Sequence, residues 1–207
     1  MRRKVLFLGD SITDADHYMD NSEECLGYGY VREIATGSLR EEVSCLNRGV
    51  DGLTIHGVEK VFCRAKELAP DVVSIQVGIN DIGVYQNTGK SLEQQGFVSA
   101  YETLLQEIRD ANIKVILCVS PFIFSKPERY KNWISEVERV QEMIGELCER
   151  YGAIFVPTQE RMMDAVETYG VDAMTVDGIH LTEVGARVLA ECWEDAYEVA
   201  KCIDCCE

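Results

Sequence analysis

Residues 4–14 read KVLFLGDSITD. The first half is a short apolar run, Val5-Leu6-Phe7-Leu8, of the kind expected for a parallel strand buried on both faces. A glycine, an aspartate and a serine follow at once. All three are turn formers, so Gly9-Asp10-Ser11 reads as a plain turn or as a serine hydroxyl held at the edge of a sheet. The rest of the chain decides between these, and with them the fold.

The pattern of the first strand recurs. Strands are predicted over residues 4–8, 42–46, 72–77, 114–119 and 153–156, each short and rich in Val, Ile and Leu. Between them lie amphipathic stretches that predict helices over residues 28–39, 55–68, 96–110, 127–151 and 182–202. Pro127 sits in a first turn and Gly152 just past a last one, the usual punctuation of helices. The β-α alternation predicts an α/β protein, a three-layer α/β/α sandwich around a five-stranded parallel sheet. In such sheets the crevice that binds ligands lies outside the carboxyl ends of the strands.

Bulk properties bound the answer. The chain has 207 residues, which suits a single domain over residues 1–207 with a tail, about 202–207, expected to fray. A net charge of −16 argues against a nucleic-acid partner and disfavours strongly anionic substrates. No apolar run approaches the ~20 residues that span a bilayer, so no membrane partner is expected. The basic start, Met1-Arg2-Arg3-Lys4, imitates a secretory leader, but the apolar run is short and no small-residue cleavage site follows. A cytoplasmic protein is therefore expected, with its nine cysteines reduced. Cys63, Cys118, Cys148 and Cys192 fall in apolar-patterned segments and read as core residues. Cys202, Cys205 and Cys206 crowd the tail without the partners that a four-ligand metal site needs. No metal and no cofactor are expected. A homo-oligomer is compatible with the sequence, but no pattern in it marks an interface.

Polar or glycine-rich residues stand at every strand end: Gly9-Asp10-Ser11, then Asn47-Arg48-Gly49-Val50-Asp51-Gly52, then Gly78-Ile79-Asn80-Asp81, then Ser120-Pro121. Asp177-Gly178-Ile179-His180 precedes the last helix. A serine hydroxyl is a weak nucleophile and needs an adjacent base. Of three histidines, His17, His56 and His180, only His180 has a carboxylate three residues earlier in a short glycine-containing segment. Asp177 can turn back onto His180 Nδ1–H, fix the tautomer and leave Nε2 for Ser11. For an oxyanion, the backbone N–H groups of Ser11 and Gly49 and the side-chain amide of Asn80 are the candidate donors. Taken singly, each motif has a plain alternative: Gly49 and Gly52 shape a turn, Asn80-Asp81 caps a helix, His180 is a satisfied histidine. Asp10 reads as a brace of the nucleophile turn and Asp14 as a first-turn residue of a short helix, favoured by its dipole; His17 and His56 lack a placed carboxylate partner and receive no catalytic role.

The four blocks GDS (9–11), NRGVDG (47–52), GIND (78–81) and DGIH (177–180), in this order over nearly the whole chain, resemble the GDSL, or SGNH, hydrolase family. Within it, FLGDSITD, PDVVSIQVGIND and the histidine block are most similar to intracellular acetylxylan esterase-like members. The resemblance implies a flavodoxin-like SGNH hydrolase fold. It also implies a serine esterase acting on short acyl esters, acetylated sugars foremost, with Ser11, Asp177 and His180 catalytic and Ser11, Gly49 and Asn80 as the oxyanion hole. Two departures bear on the substrate: Val176 stands where those members carry tryptophan, and Asp51 where many relatives have serine. Non-sugar esters of the lysophospholipase or thioesterase type therefore stay open. A metal-dependent phosphatase built on Asp10, Asp14 and Asp16 and a silent binding module are further readings. Residues 16–29 and 83–96 are candidate pocket walls, and Phe122, Phe124, Tyr130 and Trp133 suit either a sugar-facing surface or ordinary packing.

Overall fold

The computed structural model describes residues 2–204. Strands β1 (Arg3–Gly9), β2 (Val43–Gly49), β3 (Val72–Gln76), β4 (Val115–Val119) and β5 (Ile154–Val156) form one parallel sheet in the order β2-β1-β3-β4-β5. Alternation sends Val5 and Phe7 to one face of β1 and Leu6 and Leu8 to the other, and both faces are buried. That is why the strand had to be apolar throughout rather than alternating.

The helices are α1 (Ser11–Asp14), α2 (Tyr30–Thr36), α3 (Ile55–Ala65), α4 (Ile79–Thr88), α5 (Leu92–Gln95), α6 (Phe97–Asp110), α7 (Ile134–Tyr151), α8 (Gln159–Tyr169), α9 (Val171–Met174) and α10 (Glu183–Asp204). One layer packs α3, α6 and α7 through Phe62, Leu104, Leu105, Val140 and Ile144 against Leu6, Ile75 and Ile116. The opposite layer packs α2, α8 and α10 through Tyr30, Ile34, Met162, Leu189 and Trp193 against Phe7, Leu117 and Val119. The expected α/β/α sandwich with five parallel strands is the fold observed.

Trp193 anchors the second layer. It is fully buried, stacks on Tyr197 with ring centroids 4.9 Å apart, lies 5.3 Å from Phe7, and donates its Nε1–H to Ser74 Oγ at 3.0 Å. Ser74 interrupts the apolar run of β3, and that bond satisfies its buried hydroxyl.

Several boundaries differ from expectation. β2 continues three residues past the predicted end, because Asn47, Arg48 and Gly49 pair with Phe7, Leu8 and Gly9. The predicted helix over 127–151 begins instead as a 3-10 turn, Glu128–Trp133, before α7. Residues three apart eclipse one another in that geometry, and Tyr130 meets Trp133 edge-on at 4.9 Å. Helices α4 and α8 were not anticipated. Each buries a narrow stripe, Ile79, Asp81 and Ile82 in α4, Met162 and Ala165 in α8, too sparse for a helical period to stand out. Cys118, Cys148 and Cys192 are buried as expected, whereas Cys63 is exposed, with its thiol on Glu107. The tail was expected to fray from about residue 202, but α10 runs on to Asp204; Cys205 and Cys206 lie outside the described residues. Among the described residues no helix is long and apolar enough to cross a membrane.

Replacing Trp193 with Phe removes the indole N–H from Ser74 along with ring volume. The expected loss is about 2–3 kcal/mol of unfolding free energy, measured by urea titration. A loss under about 0.5 kcal/mol would mean that Trp193 does not anchor the layer.

Candidate active site

In the order β2-β1-β3-β4-β5 the chain leaves β1 toward one edge and returns as β3 on its other side. The crevice opens at that reversal, outside the carboxyl ends of β1 and β3. Ser11 follows β1 and Asn80 follows β3, so both stand there. Asp10 is the N-cap of α1 and accepts Ile12 N–H on Oδ1 at 3.0 Å, which sets the turn that presents Ser11.

The end of β2 holds this turn from beside it. Asn47 is 1% exposed, and its Nδ2 donates to the carbonyls of Thr13 (2.6 Å) and Leu26 (2.8 Å). Its Oδ1 accepts Gly49 N–H at 2.9 Å. A Cβ on Gly49 would lie 2.3 Å from Asp14 N, so only glycine allows the backbones to approach this closely. Gly49 therefore departs from the expected role: its N–H is taken by Asn47 and is not free to receive an oxyanion. Gly52, read above only as a turn residue, sits at φ +73° in the exposed turn, and no hydrogen bond is made by its N–H among the described residues.

The histidine arrives on a loop built for rigidity. Thr175 Oγ1 donates to His180 O at 2.7 Å and accepts Gly178 N–H at 2.9 Å, while Val176 N–H also donates to His180 O at 2.9 Å. Gly178 has φ +101° and abuts the chain at Lys126, where a Cβ would lie 2.3 Å from the carbonyl oxygen. Phe124 N–H donates to Gly178 O at 3.0 Å and ties the loop to the end of β4.

Within this frame three side chains line up. Asp177 Oδ1 accepts the N–H groups of Ile179 (3.0 Å) and His180 (2.9 Å), and Oδ2 lies 2.8 Å from His180 Nδ1. An ionised carboxylate only accepts, so Nδ1 carries the proton and Nε2 is left with a lone pair. His180 Nε2 is 3.0 Å from Ser11 Oγ, across 169 positions of sequence. Burial alone would raise the Asp177 pKa, but the bonds from the His180 ring and the two N–H groups outweigh it and hold the group below its ordinary value. This arrangement can take a proton from a hydroxyl and hold the resulting imidazolium. Asn80 Nδ2 donates to Leu53 O at 3.0 Å, which orients the amide and leaves it a second hydrogen.

A pocket of about 410 Å³ opens beside Ser11 and His180, lined further by Asp14, Asp16, Tyr28, Asp51, Val176 and Leu181. Of the expected walls, residues 16–29 contribute Asp16, Tyr28 and Gly29, and residues 83–96 contribute none. Phe122, Phe124 and Tyr130 are buried, and Trp133 packs over Gly83; these aromatics are core and do not face the pocket. Val176, 75% exposed, and Tyr28, 58% exposed, stand at its mouth.

His17, given no role from the sequence, pairs with a carboxylate. Its Nδ1 is 2.7 Å from Asp14 Oδ1, and Asp14 Oδ2 accepts Asp51 N–H at 3.0 Å. This pair clasps the Ser11 loop to the turn after β2. The spacing Asp14 to His17 equals that of Asp177 to His180, and that signal was available in the sequence. His56 Nε2 meets Gln95 O at 2.7 Å. Asp10 Oδ1 and both Asp14 carboxyl oxygens have protein partners, and among the described residues no three His, Cys, Asp or Glu side chains gather as a metal set.

A family model described as the GDSL-like lipase/acylhydrolase family matches residues 7–188. The chain belongs to that family and is a carboxylic ester hydrolase. It is 27% identical over 205 residues to an acetylxylan esterase of Geobacillus stearothermophilus, covering 90% of each chain. A solved variant of an acetyl xylan esterase from that organism superposes with a TM-score of 0.77 at 25% identity over 92% of each chain. A GDSL-like lipase structure from Parabacteroides merdae gives a TM-score of 0.81 at 23% identity over 95% of this chain and 96% of that one, a likeness of fold. Catalytic mutants of the Geobacillus esterase replace a serine, an aspartate and a histidine, the aspartate three positions before the histidine. Another variant replaces a tryptophan immediately before that aspartate.

Asn47→Ala removes the bonds to the Thr13, Asp14 and Leu26 carbonyls and to Gly49 N–H from a buried junction. We expect a loss of about 2–4 kcal/mol in stability, followed by urea denaturation, with hydrolysis of p-nitrophenyl acetate impaired even where the protein is folded. Gly178→Ala should destabilise the loop, since its Cβ meets the Lys126 carbonyl at a strained φ, and in the folded protein lower kcat/KM by about 10²-fold by displacing His180. Unchanged turnover in that variant would show that the loop is not under this constraint.

Proposed function

We propose that this protein is a serine esterase that removes short acyl groups, acetyl foremost, from carbohydrate hydroxyls through an acyl-enzyme at Ser11. The observation that carries the reading is the continuous line Ser11 Oγ–His180 Nε2–Asp177, at 3.0 and 2.8 Å. Ser11 Oγ attacks the ester carbonyl while His180 Nε2 takes its proton. The imidazolium, held by Asp177, then protonates the leaving alcohol. Water repeats the sequence to release the acid. For the oxyanion the donors are Ser11 N–H, the second hydrogen of the Asn80 amide and, in place of Gly49, the N–H of Gly52.

The substrate class draws support from the acetylxylan esterase relative, whose catalytic aspartate and histidine share the spacing of Asp177 and His180. Val176 replaces the tryptophan that precedes that aspartate in the relative. A wide aromatic face is thereby lost from the pocket mouth, which favours short or differently branched acetylated sugars over a long stacked chain.

Ser11→Ala should abolish hydrolysis of p-nitrophenyl acetate and labelling by a fluorophosphonate. Full activity in the purified mutant would sink the serine-esterase reading. Asn80→Ala should lower kcat by about 10²–10³ with little change in KM, because the donor acts on the oxyanion. A panel of acetylated mono- and oligosaccharides, beside esters of increasing acyl length, tests the substrate: preference for longer acyl chains on non-sugar alcohols would overturn the carbohydrate assignment.

A further inference from the structure

The pocket beside Ser11 lies on its His180 side. Val176, His180 and Leu181 line it, and the amide of Asn80 does not. In the esterase reading the leaving alcohol takes its proton from His180 Nε2, so the alcohol part of the ester occupies this pocket while the carbonyl oxygen faces Asn80. A volume of about 410 Å³ is far more than an acetyl group fills.

Tyr28 is a ring of that lining which folding leaves in water. It is 58% exposed, whereas Tyr30, the other tyrosine of the lining, is fully buried with its hydroxyl 3.1 Å from Thr13 Oγ1. Tyr28 is also held in place. The Arg32 guanidinium carbon lies 4.7 Å from its ring centroid, and Arg32 Nη2 donates to Asp20 Oδ2 at 2.8 Å. Asp20 further accepts the N–H groups of Ser22 (3.0 Å), Leu26 (3.0 Å) and Gly27 (3.1 Å). Tyr28 N–H donates to Ala15 O at 2.8 Å, and Gly27, at φ +79°, passes so close that a Cβ would lie 2.6 Å from the carbonyl oxygens of Asp14 and Ala15. The ring thus hangs from the same turn that carries Ser11. One face meets Arg32, so the exposed area is the other face and the edge. Asp16 and Asp51 share the lining; both are exposed, and among the described residues neither carboxylate has a hydrogen bond or ion pair. No lysine or arginine lines the pocket.

A braced aromatic face beside unpaired carboxylates suits a sugar ring. The C–H face of a pyranose packs on an aromatic ring, and its hydroxyls donate to carboxylates. We propose that Tyr28 is the platform of the alcohol side: one uncharged pyranose ring stacks on its open face, Asp16 and Asp51 accept its hydroxyls, and this contact sets a preference for acetylated carbohydrate over simple acetate esters. A ring already fixed by Arg32 and the Ser11 turn loses little freedom when the sugar arrives. The acidic lining disfavours sugars that carry a carboxylate of their own.

The inference rests on the esterase reading above, and the experiment separates the two failures. Wild type and variants are assayed on fully acetylated methyl β-xylopyranoside and on vinyl acetate, whose leaving group has no ring; the readout is the ratio of the two kcat/KM values. Tyr28→Ala should lower that ratio about tenfold or more, through KM for the sugar ester rather than kcat, since a remote platform binds ground and transition states alike. Tyr28→Phe keeps the ring and should hold the ratio within about twofold, and Tyr28→Trp, with a wider face, should raise it. General loosening of the Ser11 loop lowers both activities together, so an unchanged ratio in Tyr28→Ala overturns the inference. A second measurement does without turnover. Binding of the acetylated xyloside to Ser11→Ala, followed by saturation-transfer NMR, should weaken about tenfold when Tyr28→Ala is added, and equal affinity overturns the inference. Failure of the esterase reading would appear as no Ser11-dependent hydrolysis of either ester by wild type, with the binding comparison still deciding the role of Tyr28. Wild type that hydrolyses vinyl acetate but neither hydrolyses nor binds the xyloside overturns the platform together with the carbohydrate assignment.

Discussion

The site depends on one buried amide. Asn47 donates to the carbonyls of Thr13 and Leu26 and accepts the N–H of Gly49, so a single side chain ties the Ser11 loop, the following loop and the end of β2 together. A buried amide with both ends satisfied tolerates little displacement, because every alternative leaves a polar group unpaired away from water. Beside it, Gly49 lets the backbone of β2 come within contact distance of α1. Asp14 completes the clasp through His17 and Asp51. Ser11 is thus presented by a turn braced from below and from the side, although its own helix is only four residues long.

The sheet supplies the larger frame. Because all five strands are parallel, every carboxyl end opens on one edge, and the reversal between β1 and β3 leaves room there. Polar loops can gather at that edge while the apolar strands stay buried beneath them. The histidine loop reaches the same edge by docking on the segment after β4, through Gly178 and Phe124. Ser11 and His180 come from opposite ends of the chain and meet only because the sheet and α10 bring them there.

Legibility followed the physics of each feature. The central strands β1, β3 and β4, buried on both faces, leave apolar runs, and the edge strands β2 and β5 leave shorter ones, enough to make all five visible and with them the layer architecture. Local carboxylate–histidine spacing made Asp177 and His180 readable. The same spacing in Asp14 and His17 was passed over, since no glycine marked that segment. Helices α4 and α8 bury too few residues to leave a period. The aromatic residues after β4 were ambiguous by composition, and only packing showed them to be core. Gly49 and Gly52 are indistinguishable as letters; one is needed for close backbone approach, the other for positive φ, and their N–H groups have opposite fates.

By itself, the order of apolar runs and polar strand ends determined the α/β class, the edge on which the site lies and the residue types that meet there, because these follow from periodicity and local spacing. Tertiary structure alone decided which N–H groups are free and which aromatics face the pocket. Those properties belong to contacts between segments far apart in the chain. No local pattern encodes whether a hydrogen bond already has a partner.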